Sequence, residues 1–180
     1  MGMSPQHQGR EPVSESFIMR TFIITLAAFG LAASPLAAAD SAKVKRGEYL
    51  AAIMDCGGCH TTGALAGKPD PAMHLAGSTI GFQLPGLGIF YPPNLTPDKA
   101  TGLGEWSEAD IVKAVRAGVR PDGRMLAPVM PYHSYSRLTD ADAGALAAYL
   151  KNLKPISHQS PAMVGANGKA SAPYLGLVMP

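Results

Sequence analysis

The chain has 180 residues, with 15 Lys and Arg against 13 Asp and Glu, a formal net charge of +2, and two cysteines. A balance this near neutrality leaves no basic footprint for nucleic acid, and two thiols are too few for a four-cysteine zinc or iron–sulfur site. With 47% hydrophobic residues, the chain has the apolar content and length of one packed domain.

Residues 1 to 18 are polar. Arg20 then precedes an apolar run from Phe22 to Ala33, and Ser34 to Ala39 ends in small residues, the pattern of a secretory signal with cleavage before Asp40. The run falls short of the ~20 apolar residues of a spanning helix, so export is expected, with an uncleaved anchor as the alternative. Met1 and Met19 both stand as start positions. The expected division is an N-terminal extension and signal at 1–39, a domain at 40–156, and a Gly-, Ala- and Pro-rich extended tail at 157–180.

A first helix is predicted over Ala42 to Asp55, with Gly47 in an early turn where another helix can approach closely. It leads into Cys56-Gly57-Gly58-Cys59-His60. Two thiols at this spacing suit the two vinyl groups of one haem, and the adjoining imidazole suits its iron, so the motif reads as a c-type haem attachment site. The competing reading of a bare pair of thiols is a thiol-disulfide couple. That couple normally sits in a βαβ context, and no such pattern follows.

Between His60 and Trp106 lie eight glycines and six prolines with little periodicity. Such a stretch is unusual inside a compact domain, unless a large apolar macrocycle replaces the missing core and loops wrap its edge. Short strands or 3₁₀ turns fit near Ile80 to Leu84 and Gly88 to Tyr91, but no sheet is expected. The proline-containing loop from Lys68 to Pro71 is the nearest candidate for accepting the second ring N–H of His60. Trp106, with Tyr91, Asn94, Arg116 and Arg124, is a candidate contact for the haem edge or its propionates.

Ser107, reciprocated by Asp110, opens a second helix that Gly118 ends, and Thr139 opens a third over Ala143 to Leu153 that stops before Pro155. Leu146, Tyr149, Leu150 and Leu153 share one face of that last helix, which should cross the first with Gly47 near Tyr149. Between the two capped helices lie Met125 and Met130. Pro128 and Pro131 flank Met130 and fix the backbone around it, which suits a thioether held against iron. Met130 is therefore the expected second axial ligand opposite His60, ahead of Met125. His133 is the nitrogen alternative, with His74 and His158 behind it, and Met54 is read as a core filler. The fold class these elements predict is all-α: a helical domain wrapped around one covalent haem, with long Gly- and Pro-rich loops.

The series from Cys56 to His60, then Asn94-Leu95-Thr96-Pro97-Asp98, Thr101 to Ser107, Met130-Pro131-Tyr132, Leu138 to Asp142 and Ala147 to Leu150, resembles class I cytochrome c domains. It is similar above all to the haem modules in cytochrome subunits of bacterial membrane-associated alcohol, gluconate and aldehyde dehydrogenases. Over residues 43 to 155 the resemblance implies Cys56, Cys59 and His60 as the attachment motif and Met130 as the distal ligand. It also implies a periplasmic electron carrier, with a dehydrogenase as donor and a cytochrome or oxidase as acceptor. Membrane association is expected only through a partner or a retained signal anchor. Those subunits often carry three such modules, whereas this chain has one CxxCH. A haem enzyme or gas sensor with an open sixth position is the alternative function.

Overall fold

The structure, a computed structural model, describes residues 1–2 and 35–178. The apolar run read as an export signal, Phe22 to Ala33, lies outside the described residues. Helix α1 (Pro35–Ile53) begins ahead of the expected Ala42 and stops short of the expected Asp55. The stop has a local cause. Asp55 takes a left-handed backbone, φ 53°, which an α-helix cannot continue through, and its carboxylate accepts from the Gly58 N–H to cap a separate short helix, α2 (Cys56–His60). A Cβ at position 58 would lie 2.6 Å from Asp55 Oδ1, so glycine there leaves room for the cap.

Both predicted caps form. Helix α3 (Glu108–Ala117) starts with a reciprocal box between Ser107 and Asp110 and ends at Gly118, φ 70°, whose N–H donates to Ala114 O. After the short α4 (Tyr132–Tyr135), helix α5 (Asp140–Asn152) starts at Thr139, whose hydroxyl accepts from Asp142 N–H. The expected crossing is also present. At Gly47, α1 lies directly on α5: a Cβ there would stand 2.6 Å from Tyr149 Cβ and collide with the Ala145 carbonyl.

Helix α5 is more deeply enclosed than its leucine stripe suggested. Besides Leu146, Tyr149 and Leu150, its Ala143, Ala145, Ala147 and Ala148 are buried, because alanine lets neighbouring backbone approach from other directions. Leu103, Ile111 and Leu75 complete the core around it.

The all-α expectation is overturned. The described residues include a four-stranded mixed sheet in the order β3-β2-β1-β4. Strands β1 (Gly81–Leu84) and β2 (Gly88–Phe90) form an antiparallel hairpin, with Phe82 opposite Phe90. Residues read as an extended tail add both edges: β3 (Val164–Gly165) antiparallel to β2, and β4 (Tyr174–Leu175) parallel to β1. Strands of two to four residues leave almost no alternation to read, and the partners of β3 and β4 lie far away in sequence.

One lysine ties α5 to the loop before α3. Lys151 Nζ donates to Leu103 O at 3.1 Å, Gly104 O at 2.9 Å and Trp106 O at 2.8 Å. Among the described residues no helix is long and apolar enough to cross a membrane.

Candidate functional site

The one-turn helix α2 presents Cys56, Cys59 and His60 to a cavity of about 460 Å³. That volume lies within the ~300–1,000 Å³ of cofactor and ligand pockets. Phe82, Phe90, Ile111, Leu146 and Leu150 make much of its wall apolar, and Met130 and Trp106 also line it. The cavity therefore brings Cys56, Cys59, His60, Met130 and Trp106 together.

His60 is buried, 7% exposed, and its Nδ1 lies 2.8 Å from Pro93 O. A carbonyl only accepts, so Nδ1 carries the proton and Nε2 keeps a free lone pair, the form that ligates metal. Burial lowers the His60 pKa, and the bond to Pro93 opposes that shift in part, so the imidazole stays neutral. The acceptor is Pro93, not the Lys68 to Pro71 loop expected from sequence. Nothing local marks it, since Pro93 stands 33 positions away in the chain.

The thiols are not poised for exchange chemistry. Burial pushes the Cys56 thiol up to about 11, and burial raises Cys59 as well, with Asp55 adding to both. A thiol-disulfide nucleophile needs the opposite shift.

Met130 and Met125 are separated by their surroundings. Met130 is half-buried and lines the cavity, whereas Met125 is 57% exposed and does not. His133 is exposed against the Tyr132 ring, and His74 Nε2 lies 3.3 Å from the Tyr149 hydroxyl. His158 Nδ1 is 2.7 Å from Ala76 O. None of these three histidines lines the cavity. Met54, two residues before the attachment turn, both packs against the core and lines the cavity, and its carbonyl accepts from the Tyr135 hydroxyl at 2.8 Å, which joins α4 to the end of α1.

The predicted polar contacts divide. Tyr91 and Asn94 line the cavity, but the Tyr91 hydroxyl donates to Ala172 O and the Asn94 amide donates to Ile156 O and Thr101 Oγ1. Arg116 pairs with Asp140 and Arg124 with Asp122, both outside the cavity lining. Sequence reasoning missed Arg120. Its guanidinium sits 5.2 Å from the Trp106 ring centroid and lines the cavity. Its buried Nε lies 3.5 Å from Asp122 Oδ2 yet makes no hydrogen bond. No sequence signal marked it: Val119 and Met125 form a bridge that brackets both Arg120 and Arg124, and only Arg120 lines the cavity.

These residues fit a covalent haem. Two thiols adjoin a neutral imidazole with a free Nε2, a thioether shares the cavity, the wall is apolar, and an orphaned cationic nitrogen suits a carboxylate on the macrocycle's edge.

Comparison with known proteins agrees. A family profile described as cytochrome c matches residues 44–154. The cytochrome c subunit of alcohol dehydrogenase (quinone) from Gluconobacter oxydans (strain 621H) is 39% identical over 140 residues, covering 77% of this chain and 27% of that protein. The fructose dehydrogenase cytochrome subunit of Gluconobacter japonicus is 37% identical over 78% of this chain and 28% of its own length. The gluconate 2-dehydrogenase cytochrome c subunit of Pantoea cypripedii is 43% identical over 66% and 25%. The chain thus spans about a quarter of the length of these relatives.

Proposed function

The chain belongs to the cytochrome c family, and from that premise we propose that it is a mono-haem electron carrier of the periplasm, with His60 and Met130 as axial ligands. It takes electrons from a dehydrogenase and passes them toward the respiratory chain, as a free shuttle or as a subunit. The observation that carries this reading is the single cavity lined by Cys56, Cys59, His60 and Met130. The names of the relatives support the dehydrogenase as donor. Export, with cleavage before Asp40 and a haem domain at 40–156, belongs to the same proposal.

Haem, when bound, supplies an iron that alternates between ferric and ferrous states. Cys56 and Cys59 hold the group covalently, and His60 offers Nε2 because Pro93 fixes its other nitrogen. Met130 offers a thioether, which favours the reduced state relative to a second imidazole. Arg120, whose Nε has no hydrogen-bond partner, would meet a propionate, and Trp106 beside it would cover that edge. The chain's task is thus to set potential and access, with no substrate chemistry of its own.

Absorption spectroscopy of the exported protein tests the proposal. A low-spin spectrum with the weak ferric sulfur-to-iron band is expected, and Met130→Ala should give high-spin iron at a lower potential. Ready binding of carbon monoxide by the native ferrous form would overturn it in favour of an open-site enzyme or gas sensor. An unchanged spectrum in Met130→Ala would move the ligand to Met125.

A further inference from the structure

The carbonyl that orients His60 belongs to a segment that lacks two successive backbone donors. Pro92 and Pro93 carry no amide hydrogen, so just beyond β2 two successive donors are missing and the chain must be fixed through carbonyls and side chains. Ser78 N–H donates to Pro92 O at 3.0 Å, and three side-chain bonds join the stretch to the C-terminal segment. Ser160 Oγ donates to Pro92 O at 2.8 Å, Asn94 Nδ2 donates to Ile156 O at 2.7 Å, and the Tyr91 hydroxyl donates to Ala172 O at 2.9 Å.

The same segment grips a second handle on His60. The His60 carbonyl accepts from Gly77 N–H at 2.8 Å. Gly77, φ 100°, is pressed against the Ser160 hydroxyl so closely that a Cβ there would overlap Oγ. His158 Nδ1 donates to Ala76 O, the adjoining carbonyl, at 2.7 Å. Ser160 is buried, 5% exposed. One hydroxyl therefore touches both the residue bonded to the His60 backbone and the residue adjoining the acceptor of its ring N–H.

We propose that residues 156–160 form a clasp that orients the axial imidazole, with Ser160 as its positioning residue, so that the C-terminal segment tunes the potential of the haem iron. A firm Nδ1–H to Pro93 bond makes the imidazole a stronger donor and favours ferric iron. Loosening the clasp weakens that bond and shifts the balance toward ferrous iron. The inference rests on His60 being an axial ligand, as proposed above.

The test uses the full-length haem-loaded protein and begins with its parent spectrum. A parent without low-spin histidine ligation defeats the functional reading itself, before any variant is made. Given a low-spin parent, Ser160→Ala should shift the one-electron equilibrium about two- to threefold toward the reduced state, a rise of about 20 to 30 mV at ~59 mV per tenfold. Hydrogen exchange at the His60 Nδ1–H, followed by NMR, should quicken in parallel. Ser160→Cys keeps the shape and a weak S–H donor, so it should fold if Ser160→Ala does not and show a smaller shift of the same sign. Thr139→Ala, which removes a helix cap outside the clasp, should lower the melting temperature and leave the potential where it was. A Ser160 variant that loses stability as Thr139→Ala does, with potential and exchange unchanged or the potential lowered, would overturn the clasp.

Discussion

Two regions wall the cavity, and they are assembled differently. Helices α1, α3 and α5 meet through Ile111, Ala147, Leu146 and Leu150, and through the direct seating of Gly47 on α5. Segments 61–107 and 156–178 meet through two short strand pairings and through side-chain bonds to carbonyls, from Ser160, Asn94, Tyr91 and His158, across 62 to 82 positions of sequence. Apolar packing is non-directional and spread over many atoms. A buried donor or acceptor left alone incurs its full desolvation penalty. The helical region should therefore yield mainly to steric insult, and the sheet region to deletion of single polar atoms.

Gly47→Val is the largest expected insult to the helical region. Its Cβ would stand 2.7 Å from the Ala145 carbonyl carbon and 2.6 Å from Tyr149 Cβ, and the overpacking should lower stability by about 3 kcal/mol. Urea unfolding measures it. A midpoint within error of the parent would mean that α1 does not bear on α5 at this point.

Lys151→Met crosses the boundary between the regions. The side chain stays apolar and of similar length, but the carbonyls of Leu103, Gly104 and Trp106 lose their shared cation. A loss of about 2 kcal/mol is expected, in the range for hydrogen bonds to a charged group. Trp106 is the chain's sole tryptophan and lines the cavity, so the quenching of its fluorescence by the bound haem reports whether the loop moves. Lower stability with an unmoved tryptophan signal would make Lys151 a general prop with no hold on that wall.

The same contrast explains what could be read in advance. Ser107, Asp110, Gly118 and Thr139 act within a few residues of themselves, so their caps were legible. So was the α1–α5 crossing, from one glycine and one apolar face. The attachment motif was legible because Cys56, Cys59 and His60 share one helical turn. The sheet, the Pro93 acceptor and the Arg120 position were not. Each depends on which distant backbone arrives, and two-residue strands such as β3 and β4 leave no period to detect. The chosen arginines had acidic partners instead: Arg124 the nearby Asp122, and Arg116 the Asp140 carboxylate 24 positions on.

Helix caps set a middle scale. Ser107→Ala removes one half of a reciprocal box and should cost about 1 kcal/mol, again by urea midpoint. A larger loss than that of Lys151→Met would reverse the ranking of bridging over local contacts.

Acid titration gives the smallest effect and compares the regions within one experiment. Asp98 in the loop, held by Thr101, and Asp110 and Asp142 at the helix starts, held by Ser107 and Arg46, all have pKa values below the ordinary carboxylate. A group whose folded pKa is depressed leaves the unfolded chain binding more protons, so its contribution is complete above the unfolded value near ~3.9 and fades as pH falls through the folded one. All three residues are half-buried at the surface, where solvent screening keeps each contribution modest. Between about pH 5 and pH 2.5 the urea midpoint should decline, and Asp98→Asn and Asp110→Asn should each flatten part of that decline. Thr101 also accepts from Asn94, so the Asp98 change reaches the clasped segment beside Pro93, whereas the Asp110 change ends at its own helix. Asp98→Asn should accordingly quicken amide exchange at Leu95 and Thr96, and Asp110→Asn should leave those amides alone. Equal exchange at those amides in both variants would erase the distinction between the two regions.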